Sequence, residues 1–196
     1  GSVALNSLLE HGRSVRQQQH AFCTMDHIVD TRPGRSDDTL MPSGRDFIVA
    51  TRSAAHETGI QLFDIQDPNQ GIVHVISPEL GIALPGLSVI CPDSHTCTLG
   101  GLGVLAWGVG STEAEHALAT STLRVTRPKT MCVPFVGRMP KHVTAKDLIL
   151  YTIRSLSASG GAGYAIEFAG PAIKALSIES RLTLCNMATE LSAFTG

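Results

Sequence analysis

The stretch LSVICPDSHTCTLGGLG, residues 87–103, joins an apolar run to a polar loop and then to glycines. The run LSVICP is typical of a buried strand. The polar DSHT segment therefore follows the carboxyl end of that strand, where open α/β sheets bind their ligands. The stretch predicts an α/β fold with a functional loop at Asp93, Ser94 and His95.

The side chains of this loop allow two kinds of chemistry. Cys91, His95 and Cys97 could ligate a metal ion, whereas Asp93, Ser94 and His95 could act on a substrate. The five cysteines of the chain include no C-x-x-C pair, and structural zinc sites usually use closely spaced ligand pairs. Reduced, buried thiols are therefore favoured.

The glycines after the loop could instead suggest a phosphate-binding turn. They lack the G-x-G-x-x-G spacing, and no Lys-Ser or Lys-Thr pair follows them. Nucleotide binding is therefore disfavoured.

Short apolar runs alternate with amphipathic segments along the chain. GIVHVI, LSVICP and TMCVPFVG predict strands, while STEAEHALATSTLR, TAKDLILYTIRSL and SIESRLTLCNMATELSAF predict helices. This alternation predicts a three-layer α/β/α domain with a mixed or mainly parallel sheet over residues 1–196. No linker or repeat marks an internal boundary, and we expect His74 and the Asp93 loop at neighbouring strand ends.

Helix starts are signalled by capping residues. Thr112 and Glu115 have capping-box spacing in one predicted helix, and Thr144 and Asp147 have it in another. Pro171 is expected to open a further helical segment, because proline is favoured in the first helical turn.

Composition limits the classes of partner. The 196 residues carry a formal net charge of -2, with 43% hydrophobic and 16% charged residues. This balance indicates a globular protein without the basic surface that nucleic acids or anionic membranes require. We expect a small-molecule or protein partner, no nucleic acid or membrane, and a cytoplasmic location.

Further polar residues lie in apolar surroundings. Asp26 and His27 are neighbours after AFCTM, and His74 lies inside the predicted strand GIVHVI. Asn186 and Glu190 are four residues apart, so one helix would present both on the same face. Imidazoles beside carboxylates suit proton transfer near neutral pH.

The motifs MDH, GIVHV, DSHT, GGAGYAIEFAG and CNMATE follow one another in this order. In combination they resemble the aconitase superfamily. They are most similar to the family of 3-isopropylmalate dehydratase large subunits, with homoaconitase as a near relative.

The resemblance implies a hydro-lyase of leucine biosynthesis. Such enzymes isomerise 2-isopropylmalate and 3-isopropylmalate, a small hydroxy diacid pair, by dehydration and rehydration. They use a [4Fe-4S] cluster as a Lewis acid and a separate small (swivel) subunit. The residues of this chain would then form part of a large subunit, truncated at both ends relative to the family.

The resemblance also implies roles for individual residues. His27, oriented by Asp26, would protonate the departing hydroxyl group. Asp93 and His95 would hold the hydroxyl or water on the cluster, and Ser94 would support their loop. The site would be completed by a hydroxyl-binding histidine and by an amide and an acid, namely His74, Asn186 and Glu190.

The cluster-ligating cysteines of the family lie in a later part of its chains, and none of the five cysteines here matches them. We therefore expect no cysteine ligand in this chain and no activity from it alone. A homoaconitase or methylmalate-type dehydratase subunit and a non-catalytic binding or scaffold module remain alternatives. A further alternative is a mononuclear-metal hydrolase built from His27, His74, Asp93 and His95.

Overall fold

The computed structural model describes all residues, 1–196, and divides into two compact units. The first unit contains Gly1–Leu80 and Gly110–Arg124. The second contains Gly81–Val109 and Val125–Gly196. No helix of either unit has both the length and the apolar character needed to cross a membrane.

The first unit is built mainly of helices around one short pair of strands. Its elements are α1 Ser2–Glu10, a 3-10 turn Gln18–His20, β1 Phe22–Thr24, α2 Gly44–Thr58, β2 Gln61–Phe63, α3 Val73–Glu79 and α4 Ser111–Thr120. Strands β1 and β2 are parallel. A core of small and branched apolar side chains joins α1 to α2, including Leu5, Leu8, Ala54, Ala55 and Ile60.

The second unit contains the remaining strands, which form two parallel pairs. Its elements are β3 Ser88–Cys91, a 3-10 helix Ser94–Leu102, β4 Leu105–Gly108, β5 Lys129–Pro134, α5 Ala145–Leu156, β6 Tyr164–Ala169, α6 Pro171–Lys174, α7 Ile178–Asn186 and a 3-10 helix Met187–Leu191. β3 pairs with β4, and β5 pairs with β6. The largest core cluster includes Ile149, Ile166, Leu184 and Leu191.

The α/β class and the parallel direction of the strands are confirmed, but a single sheet is not formed. The six strands belong to three separate two-stranded sheets. Hydrophobic periodicity identifies a strand but does not specify its partner, and these strands are only three to six residues long. His74 lies in the helix that follows β1 and β2, whereas the Asp93 loop follows β3, a strand of a different sheet. The prediction that both lie at neighbouring strand ends is therefore wrong.

Helix α5 begins as its sequence predicts. The Asp147 carboxylate accepts a hydrogen bond from the Thr144 amide at 2.8 Å, and the Thr144 hydroxyl accepts one from the Asp147 amide at 3.4 Å. The apolar stripe of α5 lies on the core, with Ile149 and Thr152 buried. Pro171 also opens α6 as predicted.

The predicted capping pair of α4 is wrong. The N-cap is Gly110, two residues before Thr112, and Glu113, not Glu115, accepts the hydrogen bond from the Gly110 amide at 2.9 Å. Glu115 is buried instead and accepts hydrogen bonds from Ser7 at 2.6 Å and Arg13 at 2.8 Å. The hydrogen bond from the Ser7 hydroxyl is the main cause that lowers the pKa of Glu115.

His74 does not lie in a strand. It is the second residue of α3 and only 5% exposed. Short apolar runs such as VHVI do not distinguish a strand from a buried helix. A turn closed by the Gln70 amide on the Asp67 carbonyl at 3.0 Å precedes the helix and directs the chain into it.

The final predicted helix is divided into two kinds of helix. α7 ends at Asn186, and the 3-10 helix Met187–Leu191 follows directly. A 3-10 helix has three residues per turn. Asn186 and Glu190 therefore do not share the α-helical face that their spacing predicted.

Two glycines allow the 3-10 helix Ser94–Leu102 to pack closely on backbone. A Cβ atom on Gly101 would lie 2.6 Å from the amide nitrogen of Leu182 in α7. A Cβ atom on Gly100 would lie 1.7 Å from the carbonyl oxygen of Gly196. These glycines therefore serve close packing, in addition to any role in the turn that follows.

We predict that Gly101→Ala lowers the free energy of unfolding by about 1–3 kcal/mol, the usual cost of overpacking. The added methyl group meets backbone atoms of α7, which cannot rotate away. Gly110→Ala is the control, because its nearest neighbour would be the Glu113 Oε2 atom at 3.7 Å. Urea denaturation measures both variants, and equal stabilities would contradict the packing argument.

Candidate functional site

The Asp93 loop begins the 3-10 helix that follows β3. The Asp93 side chain accepts a hydrogen bond from the His95 amide at 2.7 Å and so caps this helix. The Thr96 hydroxyl, which is fully buried, donates to the Asp93 carbonyl at 2.6 Å. These local bonds hold the backbone on both sides of Ser94 and fix the direction of the His95 side chain.

The imidazole of His95 lies between a hydroxyl and a carboxylate. Its Nδ1 atom is 3.2 Å from Ser94 Oγ, and its Nε2 atom is 3.4 Å from Glu190 Oε1. The His95 side chain is 38% exposed and that of Glu190 is 51% exposed. The pair is therefore open to solvent and can exchange a proton with a bound molecule.

Asn186 reaches the same 3-10 helix through Thr98. The Asn186 side-chain amide donates to Thr98 Oγ1 at 2.9 Å, and the Thr98 hydroxyl donates to the His95 carbonyl at 2.5 Å. The backbone of His95 is thus connected to the end of α7. Thr98 was not singled out in the sequence, although the i, i+3 spacing from His95 would have placed the two on one face of a 3-10 helix.

Asp26 and His27 form a close pair after β1. The Asp26 Oδ1 atom lies 2.6 Å from His27 Nδ1 and accepts the His27 amide hydrogen at 2.6 Å. The Asp26 side chain is 17% exposed, whereas that of His27 is 65% exposed. A hydrogen bond from Nδ1 to the carboxylate leaves the Nε2 edge of the imidazole directed away from Asp26.

The segment that leads to His74 is tied to the end of β1. The Thr24 hydroxyl donates to the Gly71 carbonyl at 2.8 Å, and the Gln70 side-chain amide donates to the Met25 carbonyl. His74 is buried three residues after Gly71. The carboxyl end of β1 therefore holds both the Asp26–His27 pair and the start of α3.

The predicted site residues form two groups, each within its own unit. The first unit contains Asp26, His27 and His74. The second unit brings together Asp93, Ser94, His95, Asn186 and Glu190.

One ionic group of the first unit has no sequence signal. Arg52 of α2 donates to Asp37 at 2.9 and 3.0 Å and to Asp64 at 2.5 and 3.0 Å. The hydrogen bonds from Arg52 lower the pKa of both carboxyl groups, and the carboxylates raise the pKa of Arg52. The three residues come from different segments, so no local spacing predicts the contact.

Comparison with known proteins extends over the whole chain. A family model described as "Aconitase family (aconitate hydratase)" matches residues 1–196. The 3-isopropylmalate dehydratase large subunit 1 of Bradyrhizobium diazoefficiens is 51% identical over 196 residues, which cover 100% of this chain and 41% of that protein. The chain thus spans about two fifths of the length of this curated relative.

Two of the five cysteines, Cys97 and Cys185, are buried. Burial raises the pKa of Cys97 to about 11 and that of Cys185 to about 12. Without a bound metal, both cysteines are therefore in the thiol form near neutral pH. No three or more His, Cys, Asp or Glu side chains in residues 1–196 form a group that could hold a metal ion.

We predict that Thr98→Val loosens the His95 loop. The substitution keeps the volume but leaves the partly buried Asn186 amide without its acceptor, at a cost of at most about 1–3 kcal/mol, the range for a fully buried group. Amide hydrogen exchange should become faster in residues 94–98. Thr183→Val is the control, because the Thr183 hydroxyl bonds only the Glu179 carbonyl of its own helix. Unchanged exchange in Thr98→Val would contradict this positioning role.

Proposed function

The chain belongs to the aconitase family, and from this premise we propose that the complete protein is a hydro-lyase. It isomerises 2-isopropylmalate and 3-isopropylmalate by dehydration and rehydration in leucine biosynthesis. The 51% identity to a 3-isopropylmalate dehydratase large subunit supports this substrate. The observation that carries the chemistry is the Asp26–His27 pair, which joins a shielded carboxylate to an exposed imidazole.

In this proposal His27 donates the proton that the departing hydroxyl group requires. The Asp26 carboxylate, 2.6 Å from Nδ1, stabilises the protonated imidazole and sets its orientation. The exposed Nε2–H then points to the substrate oxygen. As the hydroxyl leaves as water, a base that we assign to the small-subunit partner takes the proton of the neighbouring carbon, and His27 becomes neutral. In rehydration a water molecule gives one proton to His27 as its oxygen bonds to carbon, and the base returns its proton to the other carbon.

Within the second unit, we propose that the Asp93 loop binds a hydroxyl group or a water molecule. The Asp93 side chain is engaged by the His95 amide, while the His95 imidazole is held between Ser94 and Glu190. In this position His95 can donate a hydrogen bond to a hydroxyl group or a water molecule. The Glu190 carboxylate beside the His95 imidazole can accept a proton from it.

The remaining site residues support these groups. His74 is buried at the start of α3, where we propose that its imidazole binds the substrate hydroxyl. Asn186 holds the Asp93 loop in place through its hydrogen bond to Thr98, and its side-chain amide lies next to that loop.

The cluster and the partner belong to the complete enzyme. We propose that the [4Fe-4S] cluster takes its cysteine ligands from the part of the protein outside residues 1–196. The name of the Bradyrhizobium relative, a large subunit, supports a small-subunit partner. The five cysteines, none of which forms a disulfide, favour a reducing compartment such as the cytoplasm.

The proposal is tested by assaying the complete large subunit with its small subunit. We expect hydration of the alkene diacid formed from isopropylmalate to be faster than hydration of the homoaconitate or methylmalate counterparts. Faster hydration of either counterpart would identify that compound as the substrate in place of the one derived from isopropylmalate. No hydration of any alkene diacid would reject the hydro-lyase and favour a non-catalytic binding module.

In the assembled enzyme, His95→Ala should lower kcat by about 10²- to 10⁴-fold, the usual contribution of a positioned proton-transfer group. The melting temperature should change little, because the side chain of His95 is partly exposed. His142→Ala is the matched control, since His142 is an exposed histidine of the same unit. A clearly lower melting temperature of His95→Ala with an unchanged kcat would indicate a structural role instead.

A separate prediction concerns the cluster. After anaerobic incubation with iron and sulfide, residues 1–196 alone should hold no stoichiometric cluster, because their five cysteines lie on five different elements and form no group that could hold a metal ion. The complete large subunit is the control. About four irons and four sulfides per chain, with an EPR signal lost in Cys91→Ser and Cys97→Ser, would contradict this expectation.

A further inference from the structure

Residues 30–38 of the first unit form a loop that we call the arginine loop, because it contains Arg32 and Arg35. It follows the turn of the Asp26–His27 pair along the chain. The loop has no helix or strand of its own. Its position therefore depends on side-chain contacts.

The far end of the arginine loop is fixed by Arg52. This guanidinium binds both Asp37 of the loop and Asp64, the residue that directly follows β2. Bidentate contacts of this kind define direction as well as distance. The arginine loop is consequently held at the carboxyl end of β2, the end at which its parallel neighbour β1 leads into Asp26.

The middle of the loop is fixed by two glutamines. Gln66 donates its side-chain amide to the Arg35 carbonyl at 2.5 Å. Gln70 accepts a hydrogen bond from the Arg35 guanidinium and donates one to the Met25 carbonyl. One glutamine side chain thus separates the charge of Arg35 from the residue that precedes Asp26.

Arg35 differs from the other arginines of this region in its partner. Arg32, Arg45 and Arg52 each pair with an aspartate. Arg35 instead binds a neutral amide through one nitrogen and is exposed. Its positive charge is therefore not neutralised by that contact, and its remaining N–H groups keep the planar arrangement that matches a carboxylate.

We infer that Arg35 binds a carboxylate of the substrate beside the Asp26–His27 pair. This inference rests on the proposed function, because the hydroxy diacids considered there carry carboxylates in addition to the hydroxyl group that leaves. Arg35 anchors one of these carboxylates, and Gln70 sets the distance between the anchor and His27. The contact is made in the bound substrate as well as during dehydration, so it affects binding more than the chemical step.

The test compares Arg35→Gln, Arg35→Lys and Arg45→Gln in the complete large subunit assembled with its small subunit. Arg35→Gln should raise KM for isopropylmalate roughly 10- to 100-fold, the usual effect of losing a hydrogen bond to a charged group. The same variant should change kcat less than about threefold. Arg35→Lys should recover part of the affinity, because it restores the charge but not the two parallel donors.

Arg45→Gln is the matched control. Arg45 is also an exposed arginine near the loop, but it is paired with Asp38 at 2.9 Å, so its KM should stay within about twofold of the wild type. A KM for Arg35→Gln within twofold of wild type, or an equal rise for Arg45→Gln, would overturn the inference while the proposed function stands. A wild-type enzyme that acts on no alkene diacid would overturn the proposed function and this inference with it.

Discussion

The close approach of two backbone segments organises the second unit. Gly100 and Gly101 have no side chains, so the 3-10 helix that carries His95 lies directly against α7 and the last residue of the chain. This contact brings the Asn186 amide to Thr98 and places the Glu190 carboxylate beside the His95 imidazole. A larger residue at either glycine would separate the two helices, and both polar contacts would be lost together.

Local signals in the sequence were reliable where one residue determines one feature. The strand LSVIC, the polar loop after it, the capping pair of α5 and the proline that opens α6 were all predicted correctly. The failures share a cause. The position of His74 and the partners of Glu115 depend on contacts with distant segments, and Ser7 and Glu115 are 108 residues apart. Periodicity over a few residues contains no information about such contacts.

The candidate site shows the same division. The resemblance to the aconitase superfamily supplied roles for eight residues, and the structure supplies the side chains that hold five of them in one unit and three in the other. It also adds residues that neither the motifs nor the spacing indicated. Thr98 connects His95 to Asn186, and Arg52 holds the arginine loop through two aspartates. Such supporting groups are often as important for a site as the groups that touch the substrate, because they set its geometry.

The division of the first unit along the chain has a consequence for synthesis on the ribosome. Its second segment, Gly110–Arg124, contains α4 and supplies the buried Glu115, whereas the groups that bind Glu115 lie in α1 and just after it. Residues 1–80 are translated before this carboxylate, and the Ser7 hydroxyl and the Arg13 guanidinium stay hydrated until 35 further residues have been added. Folding of residues 1–80 during synthesis therefore stops short of a finished unit. During that interval α1 exposes the apolar surface that Leu118 and Ala119 of α4 later cover, and such surface favours aggregation until it is buried.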